Sequence, residues 1–90
     1  MDIDYDKIDD CTLALLYLVT SVNQYGARAW KGFDWETMNR LHEKGYISDP
    51  KSKAQSVVLS EEGLSRAKEL FETFFAKVTP GSPSTDAEAA

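Results

Sequence analysis

Chemistry needs particular side chains at particular spacings, and this chain offers few. It has one cysteine and one histidine. Cys11 lies in the apolar stretch C-T-L-A-L-L-Y-L-V, directly after Asp9 and Asp10. A reactive thiol needs exposure and nearby positive charge to stabilise the thiolate. Cys11 is expected to have neither, and reads as a small buried hydrophobe. His42 stands beside Leu41 without a set of ligands at metal-binding spacing. Asp2, Asp4, Asp6, Asp9 and Asp10 crowd the start of the chain. The glycine and the twelfth-position ligand of a calcium loop are missing, so the cluster reads as a solvated helix start. Neither a phosphate-cradling glycine loop nor a nucleophile elbow is present. The expectation is therefore no catalytic residue, no cofactor site, no metal site and no enzyme.

What remains is charge. The net charge is −5 and the pI about 4.7, which opposes non-specific binding to phosphates. The distribution is uneven. Residues 1–24 carry five Asp and one Lys, whereas residues 25–59 carry six Lys or Arg against four acids. That mildly basic middle holds Arg28, Lys31, Arg40, Lys44, Lys51 and Lys53. If it met nucleic acid, the lysines would contact phosphates, while Asn39 and Arg40 could reach base edges. The same residues also read as an ordinary solvated surface, diluted by Glu36, Glu43 and Asp49.

The elements that must position these residues follow from periodicity. Ninety residues allow one domain with a modest core. A first helix is expected from about Lys7 to Val22 or Gln24, capped by Asp6 or Asp9, after a frayed lead-in. Ile8, Cys11, Leu15, Leu18 and Val22 form one stripe at 3-4 spacing, and Leu13, Leu16, Tyr17 and Val19 widen it. A helix this apolar must be covered on most sides. The cover is either the rest of the domain or a second copy of the chain.

Gly26 ends that region, and Ala27–Lys31 reads as a short edge strand. Trp30, Phe33 and Trp35 place three rings close together, fit either to fix the connection to the core or to meet a partner. Asp34 caps a second helix with Trp35, Met38 and Leu41 or His42 facing inward, Thr37 and Arg40 facing outward or flanking, and Gly45 as its stop. Tyr46–Ser48 and Ser56–Leu59 read as two strands around a basic loop begun by Asp49-Pro50. Ser60 caps a third helix whose inner face carries Leu64, Ala67, Phe71, Phe74 and Val78. Gly63, near its start, points to a close backbone neighbour. Residues 79–90 lack periodicity and large apolar side chains, and read as a disordered tail after a domain at 1–78.

The run R-L-H-E-K-G-Y-I, a polar basic loop, then V-V-L-S-E-E-G resembles the second half of bacterial winged-helix regulators of the MarR and PadR groups. The resemblance covers roughly residues 34–75 and implies a recognition helix followed by a wing. A helix-turn-helix also needs a preceding helix that crosses the DNA backbone. Residues 25–33 read as loop or strand and supply none. Residues 1–77 more closely resemble a small uncharacterised bacterial family, recognised by I-D before a Leu-rich helix, then R-A-W-K-G-F-D-W, R-L-H-E-K-G-x-I-x-D-P and K-x-x-S-V-V-x-x-x-E-G. That family brings no activity with it.

The expected fold is thus α+β and winged-helix-like: three helices with a two-stranded ribbon, or three-stranded if Ala27–Lys31 joins it. The expected function is a non-enzymatic interaction module that homodimerises or docks an unknown protein partner. Leu13, Leu16, Tyr17, Trp30, Phe74 and Phe75 are the candidate dimer or partner surface. The alternative is a DNA-binding transcription regulator using Arg28, Lys31, Asn39, Arg40, Lys44, Lys51 and Lys53. The acidic start lacks the features of a signal peptide, and the apolar run Leu13–Val19 is too short to span a bilayer. A cytoplasmic protein without membrane contact is expected.

Overall fold

The computed structural model of the chain describes residues 1–77, so Val78 and the expected tail at 79–90 lie outside the described residues. Helix α1 spans Tyr5–Leu18. Its cap is Asp4 rather than Asp6 or Asp9, with the Asp4 carboxylate accepting the Lys7 N–H at 3.0 Å. The helix also stops well short of Val22. The Thr20 hydroxyl donates to the Leu16 carbonyl at 2.6 Å, and the chain turns into strand β1, Ser21–Asn23. Val19, Thr20 and Val22 are β-branched and stiff at χ1, which favours strand over a further helical turn. Asn23 then accepts the Tyr25 N–H at 2.8 Å, closing a tight hairpin into β2, Gly26–Trp30. Ser21 faces Arg28, Val22 faces Ala27 and Asn23 faces Gly26.

Helix α2 spans Trp35–Glu43 and is capped by Asp34, whose carboxylate accepts both the Thr37 N–H at 3.1 Å and the Thr37 hydroxyl at 2.8 Å. Gly45, at φ 84°, supplies the left-handed turn that ends it. The Gly45 N–H reaches the His42 carbonyl at 2.9 Å and the Tyr46 N–H reaches that of Leu41 at 3.1 Å, which satisfies two of the helix's last acceptors. Strand β3, Ser56–Leu59, and helix α3, Glu61–Phe75, complete the order. Ser60 caps α3 by accepting the Gly63 N–H at 2.9 Å.

The result is an α+β fold of three helices and a three-stranded antiparallel sheet in the order β1-β2-β3. Two sequence expectations change here. The segment read as an edge strand is the central strand, because β2 pairs with β1 on one side and with β3 along Ala27–Trp30 on the other. The strand expected at Tyr46–Ser48 contributes only a single bridge, Ile47 with Leu59, supported by Ser48 N–H to the Val58 carbonyl at 2.8 Å. Ala27 and Ala29 explain the first change. Both are buried, and their small side chains let helices lie close on that face, while Arg28 and Trp30 alternate outward.

All three helices contribute to one core, centred on Leu13, Leu16, Met38, Leu41, Val57, Leu59, Ala67 and Leu70. A Cβ on Gly63 would run into the Tyr46 carbonyl, so this glycine is what lets α3 start against the segment after α2. Among the described residues no helix is long and apolar enough to cross a membrane.

Candidate interaction surfaces

Two features stand out on the helices: a buried charge cluster that joins α1 to α2, and an apolar face of α1 left exposed among the described residues. The cluster is built on Asp9, which is 1% exposed although Asp6, Lys7 and Asp10 beside it on α1 are exposed or half-buried. Arg40 donates to it through Nε, at 2.9 and 3.1 Å from the two carboxylate oxygens, and its Nη2 lies 2.8 Å from Oδ1. Lys44 approaches from one helical turn further on, with Nζ 2.8 Å from Oδ2 and 3.2 Å from Asp6. Arg40 also donates to the Thr37 hydroxyl at 3.1 Å, which ties the cluster back to the Asp34 cap. The ring of Tyr5 lies 4.9 Å from the guanidinium carbon.

Burial alone would push the Asp9 carboxyl up; the hydrogen bonds and charges of Arg40 and Lys44 outweigh it and hold Asp9 below the ordinary carboxylate value. Arg40 and Lys44 are raised in turn, each first by its hydrogen bond to Asp9. Both carboxylate oxygens of Asp9 accept from cations of α2, so the cluster is a clamp between helices.

Of the expected contact residues on α2, Arg40 and Lys44 lean toward α1 and pair with Asp9 and Asp6. Thr37, expected to face outward or to flank, is 1% exposed within the same network, whereas Trp35, expected inward, is 51% exposed. Asn39 is half-buried. Lys31 turns back to donate to the carbonyls of Pro50 at 2.8 Å and Ser52 at 2.6 Å, pinning the loop before β3. Arg28 is exposed on the outer sheet face and donates to the Ser56 hydroxyl at 2.9 Å. Lys51 and Lys53 are exposed on the loop. Lys31 follows β2 and bonds to the loop that carries Lys51 and Lys53, Arg28 reaches Ser56 at the end of that loop, and Asn39, Arg40 and Lys44 lie on α2 or at its C-terminal cap.

The expected dimer residues divide similarly. Leu13 and Leu16 are 1% and 0% exposed and belong to the core, since α2, α3 and the sheet close over that side of α1. Tyr17 and Phe74 are half-buried against the core: Tyr17 packs on Phe71 at 5.3 Å, and Lys7 sits over Phe74 at 5.1 Å. Trp30, edge-on to Phe33, and Phe75 are 59% and 48% exposed. Of the three clustered rings only Phe33 packs against the core.

Within the wide apolar surface read from the sequence, the stripe Ile8, Cys11, Leu15 and Leu18 is the outer side of α1, and Val22 lies beyond the helix in β1. Ile8 is 38% exposed, Leu15 37%, Leu18 64%, Val19 44% and Val22 66%. Cys11 is half-buried in the same line. Val22 pairs with buried Ala27 across β1 and β2, so it points to the helix side of the sheet. At the other end Met1, Ile3, Ile8, Cys11 and Leu15 wall an open groove of about 440 Å³.

Sequence reasoning missed the clamp. Part of its signal was available: Arg40 and Lys44 stand four residues apart on one helical face, but nothing in the sequence singled out Asp9 from Asp6 and Asp10 as their partner. Among the described residues no group of three or more His, Cys, Asp or Glu side chains is placed to hold a metal. The aspartates are instead distributed among a cap, the clamp and a 3.8 Å approach of Asp10 to Arg66.

The chain is 53% identical over 77 residues to the uncharacterized protein y4hR of Sinorhizobium fredii (strain NBRC 101917 / NGR234), a match covering 86% of this chain and all of that protein. No solved structure gives a significant match. Residues 4–77, which contain the Asp9 clamp, the hairpin and all three helices, match the domain of unknown function DUF6429, and the chain belongs to that family.

Proposed function

We propose that this chain is a non-enzymatic interaction module, a winged-helix-like frame that pairs with a second copy of itself through the outer face of α1. The observation that carries the reading is the set of exposed apolar side chains on α1 and just after it, Ile8, Leu15, Leu18, Val19 and Val22. The largest apolar patch on a small protein is often its interaction site. The winged-helix likeness is supported by α2, the loop holding Lys51 and Lys53, β3 and α3 following one another in that order, with Ile47 bridging to Leu59 at the loop's base. Engagement of Arg40 and Lys44 with Asp9 weakens the case for α2 as a reader of base edges.

Sedimentation equilibrium of the full chain from micromolar to millimolar concentration tests this. A reversible monomer–dimer equilibrium is expected, and Leu18→Lys should abolish it without lowering the melting temperature. A strict monomer at millimolar concentration defeats the proposal. Exposed Arg28, Lys51 and Lys53 favour a second reading, the DNA-binding regulator. Duplex DNA that binds at low salt, weakened on all sequences alike by Lys51→Ala and Lys53→Ala with a flatter salt slope, would support that reading instead.

A further inference from the structure

We infer that the outer face of the sheet is a stacking platform for single-stranded nucleic acid, with Trp30 taking an unpaired base and Arg28, Lys51 and Lys53 the neighbouring phosphates. This is the face of the sheet turned away from the helices, so the site does not depend on the self-association proposed above. Three observations carry it.

The first is the ring. Ala27, Ala29, Val57 and Leu59 are buried in the core on the helix side of the sheet. Arg28 and Trp30 alternate to the other side, where Ser21 stands across from Arg28 and Ser56 across from Trp30. Trp30 is 59% exposed there, yet its ring is held in place. A Cβ on Gly32 would run into the indole, so the ring lies against the backbone at residue 32. Phe33 braces it edge-on, with centroids 5.9 Å apart. A large ring fixed at the surface is a stacking platform, and every base has a π-face to lay on it.

The second is charge. Arg28 lies about 7 Å from Trp30 along β2 and on the same face. Lys31 draws the carbonyls of Pro50 and Ser52 to the end of β2, which brings the loop carrying Lys51 and Lys53 to the same end of the strand as Trp30. Among the described residues none of Arg28, Lys51 and Lys53 lies within salt-bridge distance of a carboxylate. The acids of this region are engaged elsewhere. Asp34 caps α2 and, with Glu36, acts on Arg40; Asp49, the loop's own carboxylate, accepts the Lys51 N–H at 2.9 Å. A chain of net charge −5 thus keeps three unpaired cations beside its braced, exposed ring.

The third is how the two are arranged. Arg28 lies on one side of Trp30, and the loop, which enters β3 at Ser56 opposite Trp30, lies on the other. Cations accept phosphates and carboxylates alike, whereas an exposed indole adds affinity for a planar ring. In a duplex the base faces are stacked on one another and closed to Trp30. The ligand that uses both the ring and the cations flanking it is therefore a single strand, one base on Trp30 and its backbone running from Arg28 to the loop. Three phosphate contacts on a single strand give a log–log salt slope of about −2.

Tryptophan fluorescence reads the contact directly. Trp35→Phe leaves Trp30 as the sole tryptophan, and position 35 is 51% exposed, so the fold should be kept. This chain is titrated at low salt with a thymidine oligonucleotide of about twelve residues, with a duplex of the same length, and with poly-glutamate of equal charge. The oligonucleotide should quench Trp30 and bind at least about fivefold tighter than the other two. Adding Trp30→Ala, followed by a dye on the oligonucleotide, should weaken its binding about 5–100-fold and leave poly-glutamate unaffected. Lys51→Ala/Lys53→Ala should keep the quenching at saturation and reduce the salt slope from about −2 to about −0.7. Circular dichroism melting verifies that each variant is folded; the titration of the Trp35→Phe chain decides the matter even if Trp30→Ala is not. Poly-glutamate binding as tightly as the oligonucleotide would point to an acidic protein partner and overturn the inference. Tighter binding of the duplex would overturn it in favour of the regulator reading. An oligonucleotide that leaves Trp30 fluorescence unchanged up to millimolar concentration refutes it outright.

Discussion

Replacing Asp9 by Asn removes one charge and almost no volume from the contact between α1 and α2. The consequence is large because of what remains. Arg40 and Lys44 lose their common counter-ion, and one oxygen that accepted their hydrogen bonds becomes an NH₂ group facing donors. Breaking a fully buried pair by removing one partner costs about 3–5 kcal/mol. Here the cationic side chains are 26% and 34% exposed, so water partly resolvates them once the carboxylate is gone. A cost of about 2–3 kcal/mol is therefore expected, a large fraction of the roughly 4–11 kcal/mol total for a domain of this size. At about 4–8 °C per kcal/mol the melting temperature should fall by about 10–20 °C.

Urea and thermal unfolding followed by circular dichroism at neutral pH measure this, and a loss under about 1 kcal/mol would refute the clamp as a structural element. The pH dependence gives a second check. Asp9 is lowered in the folded state, so the unfolded chain binds the extra proton. The contribution is complete above the unfolded value near 3.9 and is lost as pH falls through the lower folded value. Asp9→Asn should be flatter than the parent over that acid window. Lys44 behaves oppositely: its contribution is present below about 10.4 and is lost as pH rises through its raised folded value.

Further substitutions probe the rest of the fold. Gly63→Ala should destabilise by about 1–3 kcal/mol, although alanine is normally the better helix former by about 1 kcal/mol, because its methyl meets the Tyr46 carbonyl; a gain in melting temperature would show that the backbones part easily. Leu13→Ala should cost about 2–5 kcal/mol and Leu15→Ala under about 1 kcal/mol in a sample dilute enough to be monomeric, the reverse of what the 3-4 stripe would suggest. Lys31→Met should leave global stability within about 1 kcal/mol while accelerating hydrogen exchange in residues 50–55, since it frees the Pro50 and Ser52 carbonyls; unchanged exchange would mean the loop is held by other contacts.

Much of the local structure was legible because its causes are local. Asp34 and Ser60 were readable as caps and Gly45 as a helix stop, since each acts on backbone groups within a few residues. Gly63 announced a close approach without naming the neighbour. The end of α1 was misplaced because the apolar pattern runs through Val19 and Val22, and propensity within one segment does not reveal that β2 is waiting to pair with it. β2 itself was underrated for a related reason. Two alanines make a weak strand signal, yet small residues are what the centre of this sheet needs beneath its helices.

The sequence by itself determined the family, the three helices, the capping residues and the uneven placement of charge, all of which reside in residue order and short-range spacing. Only the tertiary structure decided which side of α1 is inside. Leu13 and Leu16 are as apolar as Leu15 and Leu18, so periodicity alone offers two faces of equal merit. The choice is made by Asp9, which must lie where Arg40 and Lys44 of α2 can reach it. Once that ion cluster fixes the rotation of α1, Leu13 and Leu16 turn into the core and Ile8, Leu15 and Leu18 turn out to solvent.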